Sequence, residues 1–113
     1  MKERDLSKAV IQLLQYEENK GNLYYIRNNN FAGKISKPNG SSGWIRNNKK
    51  GSADYFVFFK NGITQFWELK GDGGKQSPYQ KEFEIKIGLL GFRYYLVTEF
   101  SQAERLIKEK GEK

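Results

Sequence analysis

Residues 53–59 and 63–70 flank Lys60-Asn61-Gly62 and carry apolar side chains on both of their faces. Phe56, Phe58 and Phe66 alternate with Tyr55, Val57, Phe59, Ile63, Trp67 and Leu69. A strand pair with no polar face belongs in the middle of a sheet covered on both sides. The turn between the strands sets which residues face each other. A three-residue loop built on a type I turn ends in a left-handed residue, the place that Gly62 suits. Phe59 then faces Ile63, and Asp54 falls opposite Glu68. A two-residue Asn61-Gly62 loop instead pairs Asp54 with Leu69 and turns Asp54 to the other face. The three-residue register is expected, because it sets Asp54, Glu68 and Lys70 on one face.

The rest of the chain supplies elements to cover that pair. Leu6, Ala9, Val10, Leu13 and Leu14 recur at helical spacing, which predicts a helix over residues 5–19 ended by Gly21. Leu23 to Arg27 reads as a strand. Residues 28–50 are polar and hold Gly33, Pro38, Gly40 and Gly43; they predict a long loop with one short strand near Ala32 to Ile35. Ser77 at the cap and Pro78 at the first helical position predict a second helix, ending at Gly91. Arg93 to Thr98 reads as a strand, and Ser101 with Glu104 predicts a capping box at the start of a last helix. The order is that of one α/β domain over residues 1–113, with a mixed sheet flanked by helices.

The chain contains no Cys and no His. That excludes disulfides, thiolate metal sites, imidazole bases and Ser-His-Asp triads. Catalysis is left to carboxylates, Lys, Tyr, hydroxyls or a bound metal. Twenty Lys and Arg against thirteen Asp and Glu leave a net charge of +7, which favours a polyanionic partner over a merely solvated surface. There is no apolar run near the ~20 residues a membrane helix needs, and the charged N-terminus lacks a signal-peptide core. A cytoplasmic protein without membrane association is expected.

Two carboxylates across a strand pair repel, and when partly buried one of them is driven to bind a proton. A hard divalent cation removes that conflict by taking oxygens from both. Lys70 faces the same way as Glu68, where it can orient a water or offset charge growing on a phosphate. The competing reading is a structural Asp-Glu-Lys ion cluster, which goes with a DNA-binding module that has no catalysis.

Gly51-Ser52-Ala53-Asp54, Glu68-Leu69-Lys70 and Ser77-Pro78-Tyr79-Gln80 together resemble the VRR-NUC family of PD-(D/E)xK nucleases. Glu3-Arg4-Asp5-Leu6, Arg27-Asn28-Asn29 and the segment from Arg93 to Ile107 extend the resemblance over nearly the whole chain. Ala53 stands where the name-giving proline is expected; proline there would contribute no metal ligand. The resemblance implies a restriction-endonuclease-like core and a DNA endonuclease using Mg²⁺ or Mn²⁺. Asp54 and Glu68 would be metal ligands, joined by the Leu69 carbonyl, and Lys70 the catalytic lysine. Gln80 would face the site, although Ser77 and Gln80 also form a capping box. Glu3 would extend the metal shell, with Asp5 as its rival, although a carboxylate at a helix start is favoured by the dipole alone.

Lys34, Lys37, Arg46, Lys49 and Lys50 are interleaved with Gly, Asn and Ser, a composition suited to gripping phosphates. Trp44 would stack on a base or plug the loop, and Lys75 lies beside the glycine-rich segment 71–74. Small isolated members of the family resemble Holliday-junction resolvases, which cut branched DNA as two-fold dimers in DNA repair. The aromatic surplus would supply apolar surface for such a homodimer. A nicking nuclease acting with a helicase or replication partner is the alternative within the class.

Overall fold

The computed structural model describes residues 1–28, 32–36, 38–46 and 51–110, with the backbone alone for 32–36 and 42–46. Lys37, Lys49 and Lys50 lie outside the described residues, as do the side chains of Lys34, Trp44 and Arg46. The elements are α1 (Glu3–Asn19), β1 (Leu23–Arg27), β2 (Ala32–Ser36), β3 (Ser42–Arg46), β4 (Tyr55–Phe59), β5 (Thr64–Leu69), α2 (Pro78–Leu89), β6 (Arg93–Val97) and α3 (Phe100–Glu109). Four strands form one mixed sheet in the order β1-β4-β5-β6, so the apolar pair β4 and β5 is central as expected. β1 and β4 are antiparallel, as are β4 and β5, and β6 runs parallel to β5 after the α2 crossover.

The turn between β4 and β5 has the three-residue form. Tyr55 pairs with Trp67 and Phe58 with Thr64. Phe59 N–H donates to the Ile63 carbonyl at 2.8 Å, Gly62 N–H donates to the Phe59 carbonyl at 2.9 Å, and Gly62 takes φ +89°. A side chain at that φ would be strained, which is why glycine sits there.

One face of the sheet is sealed. Leu6, Val10 and Leu14 of α1, and Ala103, Leu106 and Ile107 of α3, pack against Leu23, Tyr55, Val57, Phe59, Trp67, Leu69 and Val97. Gln65 is buried among them and accepts the Trp67 indole N–H at 2.9 Å. The opposite face corrects the expectation of burial on two sides. Among the described residues only α2 lies over it, through Phe83, whose ring stands 6.0 Å from Phe66 and 6.1 Å from Tyr94. Tyr24, Ile26 and Phe58, towards the β1 edge, remain exposed. A single helix of twelve residues is too short to roof four strands.

Two further expectations change. Residues 28–50 do not form a loop with a single strand: β2 and β3 pair as an antiparallel hairpin, with Ala32 opposite Arg46 and Ser36 opposite Ser42. Among the described residues this hairpin packs against no other element. Backbone pairing holds β3 despite Ser42 and Gly43, which disguise it in the sequence. The capping box predicted at Ser101 and Glu104 sits two residues earlier. Glu99 is the N-cap, and the Gln102 amide oxygen accepts N–H from Thr98 at 2.7 Å and from Glu99 at 2.9 Å. No helix among the described residues is long and apolar enough to cross a membrane.

Candidate metal centre

Asp54 immediately precedes β4, one position beyond the Tyr55–Trp67 pair, and so stands opposite Glu68 near the end of β5. Its carboxylate Oδ2 accepts the Leu69 N–H at 2.8 Å. The segment carrying it is held from the neighbouring strand. Asn28 N–H donates to the Asp54 carbonyl at 2.7 Å, and Asn28 Nδ2 donates to the Ala53 carbonyl at 2.9 Å. Ala53 itself is fully buried, so proline's stiffness is replaced here by packing and by Asn28.

Glu68 is 2% exposed. Burial pushes its carboxyl up to about 9; a side-chain hydrogen bond with Asp54 and the Asp54 charge add to the rise, and Lys70 pulls against it. Glu68 is therefore held in its protonated, neutral form beside Asp54. Glu68 Oε1 is buried and receives no hydrogen bond from a described donor. Two facing carboxyls, one buried and with an oxygen that has no described donor, are a fit for a divalent cation, which would take the place of the proton on Glu68. Mg²⁺ is commonly held by one or two carboxylates, with water and substrate phosphate completing its shell.

Lys70 extends past the end of β5, its N–H bonded to the Val97 carbonyl at 3.0 Å. Among the described residues its ammonium makes no ion pair within 4.0 Å, whereas Lys20 with Glu17 and Lys86 with Glu82 do. A structural Asp-Glu-Lys salt bridge is therefore not what this arrangement forms.

Glu3 lines the pocket in front of Asp54, a hollow of about 250 Å³ that also takes in Ser7, Arg27, Tyr55 and Leu69. Its charge reaches Glu68 only as the smallest of the contributions there. Among the described residues no three carboxylates converge as a metal cage, so Asp54 and Glu68 stand as a pair with Glu3 on the wall. The α1 terminus bearing Glu3 and Asp5 is pinned by the loop after β5. The Met1 amino group pairs with the Asp72 carboxylate, and Asp72 N–H donates to the Met1 carbonyl at 3.0 Å. Tyr55 hydroxyl and Ser7 Oγ meet at 2.9 Å across the pocket floor. Burial raises the Tyr55 phenol, while Ser7 and the nearby Arg27 charge lower it.

Gln80 is engaged in the cap of α2: its Oε1 accepts the Ser77 N–H at 2.8 Å, and its N–H donates to Ser77 Oγ at 3.2 Å. The first turn of α2 abuts the segment leading to Asp54, where a Cβ on Gly51 would meet the Tyr79 carbonyl at 2.5 Å. Lys75 is exposed between the glycine-rich segment and α2. Asn28 and Tyr55 escaped the sequence reading as site residues. The signals for Asn28 were its place directly after β1 and its membership of the Arg27-Asn28-Asn29 segment, and Tyr55 reads as core.

A solved structure titled "VRR_NUC domain" superposes on the chain with a TM-score of 0.62 and 20% identity, covering 96% of each chain. The chain thus has the fold of a VRR_NUC domain, the α/β architecture that the sequence resemblance implied. No protein-family model matches the sequence, and no curated protein does.

Proposed function

We propose that the chain is a VRR-NUC family endonuclease that hydrolyses DNA phosphodiester bonds with Mg²⁺ or Mn²⁺. One observation carries the reading: a buried Glu68, held protonated opposite Asp54 and with one oxygen that has no described donor, beside a Lys70 ammonium that makes no ion pair among the described residues. Asp54 and Glu68 would hold the cation, with the Leu69 carbonyl as a further oxygen. When bound, the cation supplies positive charge that polarises the phosphorus–oxygen bond under attack. The Leu69 N–H keeps the Asp54 carboxylate oriented. Lys70 is placed to hydrogen-bond the attacking water or a non-bridging phosphate oxygen, where it offsets charge growing in the transition state. Gln80 has its amide oxygen committed to the cap and would act through its NH₂ group.

Branched DNA is the proposed substrate and a homodimer the proposed working form. One centre cuts one strand, and a symmetric junction needs two. The uncovered apolar surface of Tyr24, Ile26, Phe58, Leu89 and Leu90 suits a second copy. The hairpin of β2 and β3 with the basic residues around it, and Lys75, would contact phosphates.

The test is cleavage of four-way-junction and linear DNA with Mg²⁺ or Mn²⁺, with EDTA, and with Lys70→Ala. Metal-dependent cutting that Lys70→Ala lowers by several orders of magnitude is expected. Binding without metal-dependent cleavage of any DNA would assign the chain to non-catalytic DNA-binding modules instead.

A further inference from the structure

A second hollow of about 440 Å³ runs along α1 away from the carboxylate pair. Arg4, Lys8 and Ile11 line it from one face of α1, four and then three residues apart. Glu3, Ser7 and Arg27 line both hollows, so the two form one channel between α1 and the end of edge strand β1.

The charges along the channel are sorted. Glu3 stands at the carboxylate end, whereas Arg4, Lys8 and Arg27 supply three cations. All three are exposed, and among the described residues none has an ion pair or a side-chain hydrogen bond. Unpaired cations in a concave wall concentrate potential and select an anion. Arg4 and Lys8 are one helical turn apart, about 6 Å along the axis. That is close to two base steps of a strand at roughly 3.4 Å each. Ile11 adds an apolar patch against which a sugar or base can lie.

We infer that this channel holds the nucleic-acid strand flanking the cut, with Arg27 on the phosphate next to the scissile one and Arg4 and Lys8 on the phosphates beyond. The inference rests on the nuclease reading for the direction in which the strand runs. It does not rest on it for the contacts. Arg27 is suited to the junction because its planar fork can hold a phosphate with two parallel hydrogen bonds.

Binding can be tested apart from cleavage by fluorescence anisotropy of a labelled four-way junction and a labelled single strand in EDTA. Arg4→Ala/Lys8→Ala is compared with Lys60→Ala/Lys108→Ala, which removes the same charge at the opposite end of the sheet. Lys60 lies in the β4–β5 turn, to which the end of α3 is tied by Asn61 Nδ2 donating to the Lys110 carbonyl at 3.1 Å. The channel pair is expected to weaken binding about tenfold and to lower the slope of log affinity against log salt by about 2. The distal pair is expected to leave both near wild type. Arg27→Ala should weaken binding and Arg27→Lys should retain most of it. Circular dichroism melts of each variant establish that the fold persists. Equal losses from both double variants, or no loss from the channel pair, would overturn the channel. A wild type that binds but never cleaves would leave the channel intact and defeat the nuclease reading.

Discussion

Asn28 bridges β1 to Asp54, with its N–H on the Asp54 carbonyl at 2.7 Å and its amide Nδ2 on the preceding Ala53 carbonyl at 2.9 Å. Asp54, which carries the candidate metal ligand, therefore takes its backbone position from the residue directly after β1, far away in sequence. Asn28→Ala removes the side-chain bond and keeps the backbone one. A stability loss of about 1 kcal/mol is expected in urea denaturation. In cleavage assays kcat should fall more than KM rises, because the variant misplaces Asp54 without removing a DNA contact. Wild-type kcat would show that packing around Ala53 suffices.

The carboxyl pair should make metal-free stability depend on pH. Glu68 titrates at about 9 in the folded chain, against an ordinary value of 4.5. Between those values the folded state binds a proton that the unfolded state lacks. Stability without metal is therefore greatest at the acidic end of this window and declines as pH rises through it. Melting curves in EDTA should show Tm falling across that window, and Glu68→Gln should flatten the slope. Added Mg²⁺ should raise Tm more at about pH 8.5 than at about pH 5.5, because the proton on Glu68 competes with it less at the higher pH.

Gly71 carries no unusual φ, yet it has no room for a side chain. A Cβ there would collide with the Glu3 backbone nitrogen and stand 3.0 Å from the Glu3 Cα. Gly71→Ala should push the first turn of α1 off the loop after β5. A loss of about 1–3 kcal/mol is expected, the range for overpacking a tight contact. Gly73→Ala has open space around it but sits at φ +74° and should cost less. Paired denaturation curves separate the two.

The proposed homodimer predicts a concentration-dependent mass. Leu89 is 83% exposed and Leu90 72%, at the end of α2. If a second copy covers this surface, Leu89→Glu/Leu90→Glu should convert a dimer into a monomer by light scattering while the melting of the single chain changes little. A wild type that stays monomeric across the concentration range would remove the dimer.

Much of the fold was legible because helices and strands leave local periodic marks. Leu6, Val10 and Leu14 mark the buried stripe of α1, Ser77-Pro78 the start of α2, and Gly62 the register that puts Asp54 opposite Glu68. Elements without such marks were not legible. β3 hides behind Ser42 and Gly43, since its pairing is a backbone matter. The cap of α3 falls on Glu99, because Gln102 reaches back to two N–H groups that the Ser101 motif does not use.

By itself the sequence determined the order of the elements other than β3, the central apolar hairpin, and a chemistry restricted to carboxylates, Lys, Tyr, hydroxyls or a bound metal by the lack of His and Cys. Only the tertiary structure decided that burial opposite Asp54 keeps Glu68 protonated and that Lys70 makes no ion pair among the described residues. It alone revealed that Asn28 holds the Ala53–Asp54 segment, that the described residues leave part of one sheet face uncovered, and that Arg4, Lys8 and Arg27 share a channel with the pair. The physical reason is that periodicity and turn chemistry act over a few residues. Burial, electrostatics and channel walls arise where residues distant in sequence are packed together.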